Sequence, residues 1–380
     1  MTISRIPFNR LSLTGRELEY IAEAIASGEL GGDGPFARRC ERWLENTVHC
    51  RRAFLTHSCT GALEMAAILA DIRPNDEVIM PSFTFTSTAN AFVLRGGIPV
   101  FVDILPDRLT LDPACVAAAV TPRTRAIVPV HYAGVACDMD AIMSIADAAG
   151  AVVIEDAAQA LLSTCSDRPL GSIGSMGTLS FHQTKNVSSG EAGALLVNDE
   201  RLIRRAEIVR EKGTNRSEFH RGDVDKYTWT DIGSSYLPNE LTAAFLFAQL
   251  EGAAEITARR RQVWDRYHAA LEPFERSGLL VRPQSRGNAH IYYVILPSLE
   301  ERTDVIDTLR AHGVSAVFHY VPLHTSVAGR RYGRVAGQLP LTEAISNRLL
   351  RLPLWPDMTG SDIDAVTGAL NKALRTAIRT

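Results

Sequence analysis

Lys185 sits in the run Ser180-Phe-His-Gln-Thr-Lys185-Asn186, with Ser188-Ser-Gly-Glu-Ala-Gly193 just after it. A lysine amine attacks a carbonyl carbon only when neutral, and a partly desolvated pocket favours that state. Alone, a lysine in a glycine-bounded loop reads equally as a surface charge. A second segment, Glu155-Asp156-Ala-Ala-Gln159, closes an apolar run at 151–154. The carboxyl end of a central strand is where α/β proteins place ligands, although an aspartate there also serves as a helix N-cap. The third segment, Ser58-Cys59-Thr60-Gly61, directly precedes the helical run 62–70. A helix N-terminus offers unpaired N–H groups and the positive end of a dipole, so hydroxyls beside it bind phosphate well. The plain alternative is a Ser or Thr cap.

In this order the three segments meet the demands of one cofactor, pyridoxal 5′-phosphate (PLP). Lys185 would hold its aldehyde carbon. Asp156 would face the pyridine nitrogen and keep it protonated, which makes the ring a better electron sink. Gln159 stands where it could bond the ring hydroxyl, and Ser180 adds a hydroxyl for the phosphate.

The elements that must position these residues are readable up to about residue 200. Short β-rich runs at 77–81, 98–104, 125–130, 151–155, 178–182 and 194–198 are interleaved with helical patterns at 60–70, 87–94 and 138–149. That alternation predicts an α/β domain with a largely parallel sheet. The last two runs lack an intervening helix, which leaves room for an antiparallel member. Residues 214–236 are polar and studded with Phe219, Tyr227, Trp229 and Tyr236, a long loop of the functional kind. A long helical pattern follows from Asn239 past residue 265. Strands at 292–296 and 315–319, helices at 301–312 and 341–350, and a last helix from Gly360 predict a smaller α+β unit. The triplet Arg259-Arg-Arg261 reads as a solvated helix face.

Over nearly its whole length the chain resembles the DegT/DnrJ/EryC1/StrS family of sugar aminotransferases. The resemblance runs through Ile6-Pro-Phe-Asn, Gly31-Gly-Asp-Gly34, the three segments above, Phe318-His-Tyr-Val-Pro-Leu-His324 and Arg351-Leu-Pro-Leu354. It implies PLP fold type I, like aspartate aminotransferase. A large domain with a mixed, mostly parallel sheet would span residues 1–250, and a smaller α+β C-terminal domain 251–380. It implies that Lys185 is the cofactor lysine and proton shuttle, Asp156 the partner of the pyridine nitrogen and Gln159 that of the ring oxygen. Thr60, Gly61 and Ser180 would be phosphate ligands. Phe85 aligns with the aromatic that stacks on the ring; read from the residue alone, it is equally a core aromatic.

Two departures stand out. Many members carry Asn-x-Arg before the long helix, where the Asn reaches the phosphate in the neighbouring subunit; here Ser235 and Leu237 occupy those places. The usual Gly-Glu-Gly-Gly reads Gly190-Glu-Ala-Gly193, and Ala192 restricts the backbone if that position needs a positive φ. The implied substrates are an amino-acid donor, glutamate in many members, and a nucleotide-linked 4-keto-6-deoxy sugar. Arg216 and Arg221 of the 214–236 loop, with His319 and Tyr320, are candidates for the nucleotide-sugar pocket. A packed contact loop with solvated arginines is the alternative for the first two. The implied assembly is a homodimer with shared sites. Sugar dehydratases of the family replace the lysine by histidine, which Lys185 argues against. A non-catalytic regulator would not need Asp156, Gln159, Ser180 and Lys185 together.

Composition agrees. The 380 residues carry 40 basic and 43 acidic side chains, a net charge of −3, so the basic excess of a nucleic-acid binder is missing. Six cysteines form no CxxC pair and fit no zinc spacing, and no metal is expected. They read as free thiols of a reducing compartment. The first ten residues hold no apolar stretch of signal-peptide length, and no run approaches the ~20 apolar residues of a membrane span. A cytoplasmic enzyme is the expectation.

Overall fold

The computed structural model describes residues 6–377; the first five of the ten residues inspected for a leader lie outside it. Thirteen strands are present among the described residues: β1 Arg52–Thr56, β2 Glu77–Pro81, β3 Ile98–Val102, β4 Thr124–Ile127, β5 Val152–Asp156, β6 Thr164–Cys165, β7 Arg168–Pro169, β8 Met176–Ser180, β9 Gly193–Val197, β10 Tyr292–Ile295, β11 Val317–Phe318, β12 Arg334–Val335 and β13 Leu349–Leu352. Eight of them form one sheet in the order β1-β9-β8-β5-β4-β2-β3-β12. Its pairs are parallel except where β9 runs against β1 and β8. The antiparallel member expected from the missing helix is therefore β9.

The sheet is buried on both faces, as helical crossovers require. Along β2, Val78 and Met80 pack with Leu63 and Phe92 on one side, while Ile79 packs with Ile127, Ile142 and Val153 on the other. Each such side chain contributes roughly 1.5–3 kcal/mol by leaving water. A second sheet, β10-β13-β11, is antiparallel and shares a core with Trp264, Tyr267, Leu309 and Leu370. Ile6 joins that core and pairs with Val314, so the N-terminal segment reaches the C-terminal unit. In return β12 extends the large sheet alongside β3.

Several expectations shift in detail. The strand β1 was not expected: RAFLT is short, opens on a charge and is buried without alternation. The long helix is two, Glu240–Glu251 and Ala253–Arg276, separated at Gly252. The first packs Leu246 and Leu250 into the large-domain core, and the second gives Val263 and Trp264 to the other core. The expected strand at 315–319 pairs only over Val317–Phe318. The expected helix at 341–350 ends at Arg348, and the chain turns into β13, the central strand of the small sheet. The 214–236 segment contains the helix Arg216–Arg221 and the bridge Thr214–Trp229. All six cysteines are free. No described helix is long and apolar enough to cross a membrane.

Candidate active site

Strands β2, β5 and β8 run the same way, and β1 shares their direction because both β1 and β8 oppose β9. Their carboxyl ends therefore lie along one edge of the sheet. The segments leaving them, 57–60, 82–88, 156–159 and 180–185, line one cavity of about 750 Å³. Its far wall comes from the small sheet and the turn before it, through His290, Phe318, His319, Tyr320 and Arg351.

Lys185 lines this cavity, half-buried, and its amine has no hydrogen bond or ion pair among the described residues. Burial lowers its pKa from the ordinary lysine value; Arg351 adds to that, while Cys59 and Asp156 oppose it. The surface-charge alternative does not fit a half-buried amine that lines a cavity.

Asp156 ends β5 and is 5 % exposed. No helix follows it, so it is not an N-cap. Its Oδ2 accepts from Thr88 Oγ1 at 2.7 Å and its Oδ1 from Ala158 N at 3.2 Å. Glu155, one residue back, points to the opposite face and braces the strand. It accepts from the N–H groups of Gly171, Ile173 and Gly174 and faces His131 Nε2 at 2.9 Å. The N–H of Cys137 points at His131 Nδ1, which places the imidazole proton on Nε2, toward Glu155. Gln159 is fixed at both ends: Oε1 accepts from Ala133 N at 2.7 Å and Nε2 donates to Tyr320 OH at 2.8 Å. One N–H of Nε2 is left for a further partner.

Ser58, Thr60, Ser87 and Ser180 also line the cavity. Ser58 caps the helix Cys59–Leu69, its Oγ accepting from Gly61 N at 3.1 Å. The cap alternative is thus correct for Ser58, and Gly61 is outside the cavity lining with its N–H engaged. Thr60 Oγ1 lies 2.7 Å from Ser87 Oγ. Gly193 lets β9 come this close to the helix start, since a Cβ there would sit 2.3 Å from Cys59 N. The positive φ of the preceding loop falls on Gly190, at 82°, and not on Ala192, so the alanine is accommodated. Phe85 is 58 % exposed and lines the cavity, which excludes the core alternative.

His319 and Tyr320, which follow β11, line the cavity. The His319 and Tyr320 rings stack with centroids 3.7 Å apart, and His319 Nδ1 lies 2.8 Å from Tyr132 OH. Burial, with Arg351 and Lys185, lowers the His319 pKa well below its ordinary value. The loop candidates do not arrive. Arg216 is paired with Glu211, Arg221 with Glu207 and Asp223, and Ser235 is exposed; none lines the cavity of this chain.

Among the lining residues that escaped the sequence reading are Arg260, Arg351 and His290. Arg260, taken with its neighbours as a solvated face, is 2 % exposed and donates to the carbonyls of Ala289 and His290. Burial alone lowers its pKa, to about 9. Arg351 was visible only as part of a motif. His290 carried no signal at all, because its surroundings are assembled from distant segments.

The donor set suits PLP. An unpartnered amine, a buried carboxylate, a side-chain amide and hydroxyls at a helix start match an aldehyde, a ring nitrogen, a ring hydroxyl and a phosphate. The comparisons agree with this geometry. The model of the DegT/DnrJ/EryC1/StrS aminotransferase family matches residues 12–371. The spore coat polysaccharide biosynthesis protein SpsC of Bacillus subtilis is 32 % identical over 383 residues, 98 % of each chain. The aminotransferase from Psychrobacter cryohalolentis superposes with a TM-score of 0.90 at 27 % identity, covering 99 % of this chain and 100 % of that one. Spr1654 from Streptococcus pneumoniae, in a PLP form, gives 0.88 at 25 % identity over 98 % and 99 %. The chain therefore belongs to the DegT/DnrJ/EryC1/StrS aminotransferase family, and it is a PLP-dependent aminotransferase.

Proposed function

We propose that the protein moves an amino group from L-glutamate to a nucleotide-linked 4-keto-6-deoxy sugar, with dTDP-4-keto-6-deoxyglucose as substrate and dTDP-4-amino-4,6-dideoxygalactose as product. The observation that carries the chemistry is one cavity joining an unpartnered, less basic lysine to a buried aspartate. The sugar is supported by likeness to the TDP-4-amino-4,6-dideoxygalactose transaminases in Ile79-Met-Pro-Ser-Phe-Thr-Phe85, Val130-His-Tyr-Ala-Gly134, Glu211-Lys-Gly-Thr-Asn-Arg216, Val224-Asp-Lys-Tyr-Thr-Trp229 and Asp231-Ile-Gly-Ser-Ser-Tyr236. The name of SpsC supports a role in polysaccharide synthesis.

Lys185 holds the cofactor, with Asp156 at the pyridine nitrogen, Gln159 at the ring oxygen and Phe85 on the ring face. Thr60 and Ser180 take the phosphate, helped by the start of the helix Cys59–Leu69. PLP supplies an electron sink for the carbon that loses a proton. Lys185 takes that proton and returns it one position away, then does the reverse with the sugar. Thr88 keeps Asp156 oriented. Tyr320, through Gln159, links the small domain to the cofactor end.

Arg216, Arg221 and Ser235 act in the cavity of a second copy, so the active unit is a homodimer. The exposure of Tyr227 and Trp229, at 53 % and 77 %, supports a covering partner for this loop. Incubating the holoenzyme with L-glutamate and a panel of nucleotide-linked keto-sugars, and weighing the products, tests the sugar. A gain of amine on other sugars alone contradicts the dTDP assignment. For the loop, Arg216→Ala or Arg221→Ala should raise KM for the sugar nucleotide about tenfold, the loss of one charge-assisted contact. The glutamate half-reaction should change little. Equal damage to both half-reactions, or dissociation into monomers on sizing, would assign the loop to packing instead.

A further inference from the structure

Arg260 and Arg351 both line the cavity, but they are held differently. Arg260 is 2 % exposed and gives Nε and Nη2 to the carbonyls of Ala289 and His290, so it belongs to the wall. Arg351 is half-buried in β13, the middle strand of the small sheet, opposite Tyr293 and Val317. Its Nη2 donates to the carbonyl of Phe318 at 3.1 Å. The Phe8 ring covers the guanidinium, whose carbon lies 4.8 Å from the ring centroid, and the Phe8 carbonyl accepts from Leu354 N at 3.3 Å. Arg351 Nε is shut off from solvent without a hydrogen bond. Among the described residues no other N–H of the fork is engaged, and no carboxylate pairs with it.

The carboxylates that line the cavity are engaged elsewhere. Asp156 accepts from Thr88 and Ala158, and Glu191 lies 3.5 Å from His182 Nε2. A half-buried cation without a counter-ion is costly, and the planar fork of a guanidinium matches a carboxylate. In the reaction proposed above, the other anionic groups have partners. Thr60 and Ser180 serve the cofactor phosphate, and Arg216 and Arg221 the sugar nucleotide. The amino-acid donor brings an α-carboxylate that has none. That group is one bond from the carbon Lys185 must reach, and Arg351 is near enough to Lys185 for its charge to disfavour the lysine's own.

We propose that Arg351 binds the α-carboxylate of the amino-acid donor through the N–H groups it leaves free, and so holds the donor's Cα within reach of Lys185. Phe8 limits rotation of the guanidinium plane. The bond to Phe318 ties Arg351 to β11, the strand that leads into His319 and Tyr320. An amine that lacks the carboxylate then binds poorly, which restricts the donor to amino acids. The inference rests on Lys185 being the amine at which the donor reacts.

Binding of L-glutamate and its two amides to the holoenzyme tests it. L-Glutamine lacks the side-chain charge, and L-isoglutamine lacks the α charge. Single-turnover titration gives the affinity for L-glutamate, and competition against it gives the other two. In R351Q the affinities for L-glutamate and L-glutamine should both fall about 10–100-fold, the loss of a charge-assisted fork, while that for L-isoglutamine stays within about twofold. R351K keeps the charge without the fork and should recover part of the loss. The KM of R351Q for the sugar nucleotide should match wild type. A loss for L-isoglutamine that spares L-glutamine would move Arg351 to the side-chain carboxylate. A raised KM for the sugar nucleotide with donor binding intact would move it to the sugar's phosphates. Either result overturns the proposal, and so does unchanged donor binding. An equal loss for all three ligands, as a disturbed small sheet would give, makes Arg351 structural and overturns it too. Should R351Q not fold, R351K carries the same comparison. Borohydride labelling keeps the two claims apart: a wild-type label away from Lys185 removes the underlying reading, whereas a label on Lys185 with donor binding unchanged in R351Q removes only the role of Arg351.

Discussion

Lys185→Ala is expected to lower turnover by on the order of 10⁴-fold, the scale of losing a general acid–base group, and to remove covalent attachment of the cofactor. The physical basis is the half-buried amine with no partner, less basic than a free lysine because burial and Arg351 disfavour its charge. The same shift fixes the sign of the stability effect. A lysine whose folded pKa is lowered binds its proton more tightly in the unfolded chain, so it weakens the folded state at neutral pH, and that penalty fades as pH rises toward 10.5. Lys185→Met should therefore leave the apoprotein at least as stable as wild type near neutral pH. A clear fall in melting temperature would mean that Lys185 is a structural residue. Activity retained by Lys185→Ala would end its catalytic assignment.

Asp156→Asn is expected to cost roughly 10²–10³-fold in turnover, the scale of removing one fixed electrostatic stabiliser, while the protein still folds. Asparagine keeps one oxygen, which accepts from Ala158 N, while its amide nitrogen donates to Thr88 Oγ1, whose proton can turn to Thr84; the stability change should therefore stay near ~1 kcal/mol. What it loses is the negative charge that would keep the pyridine nitrogen protonated. Separate measurement of both half-reactions should show both slowed, because the charge serves each. Turnover within a few-fold of wild type would reduce Asp156 to a strand-end turn residue.

The fold was legible wherever a local rule governs. Runs such as Glu77–Pro81 are apolar because both faces of the sheet are covered, and a missing crossover helix announced β9. Legibility failed where tertiary context decides. Leu349–Leu352 follows a helical pattern and becomes a strand only because β10 and β11 are there to pair with it. Arg260 shares a run of three arginines, and helical phase alone distinguishes the buried one from its neighbours. At the site, Lys185, Asp156, Gln159 and Ser180 were findable from strand ends, Thr60 from a helix start and Phe85 by likeness to the family. Tyr320 and His319 were reached from the opposite sheet by likeness to the family. Arg351 and His290 were not, since their meaning depends on which cavity they face. Gly61 shows the converse: its place beside a helix start suggested a phosphate contact, but its N–H belongs to the Ser58 cap.

Borohydride reduction of the holoenzyme, followed by digestion and peptide mapping, bears most directly on the central claim. The chain has four lysines, Lys185, Lys212, Lys226 and Lys372, and of these Lys185 lines the cavity. The expected result is a single pyridoxyl group on the peptide containing Lys185. A label on Lys212 or Lys226 would place the cofactor outside the cavity and contradict the assignment.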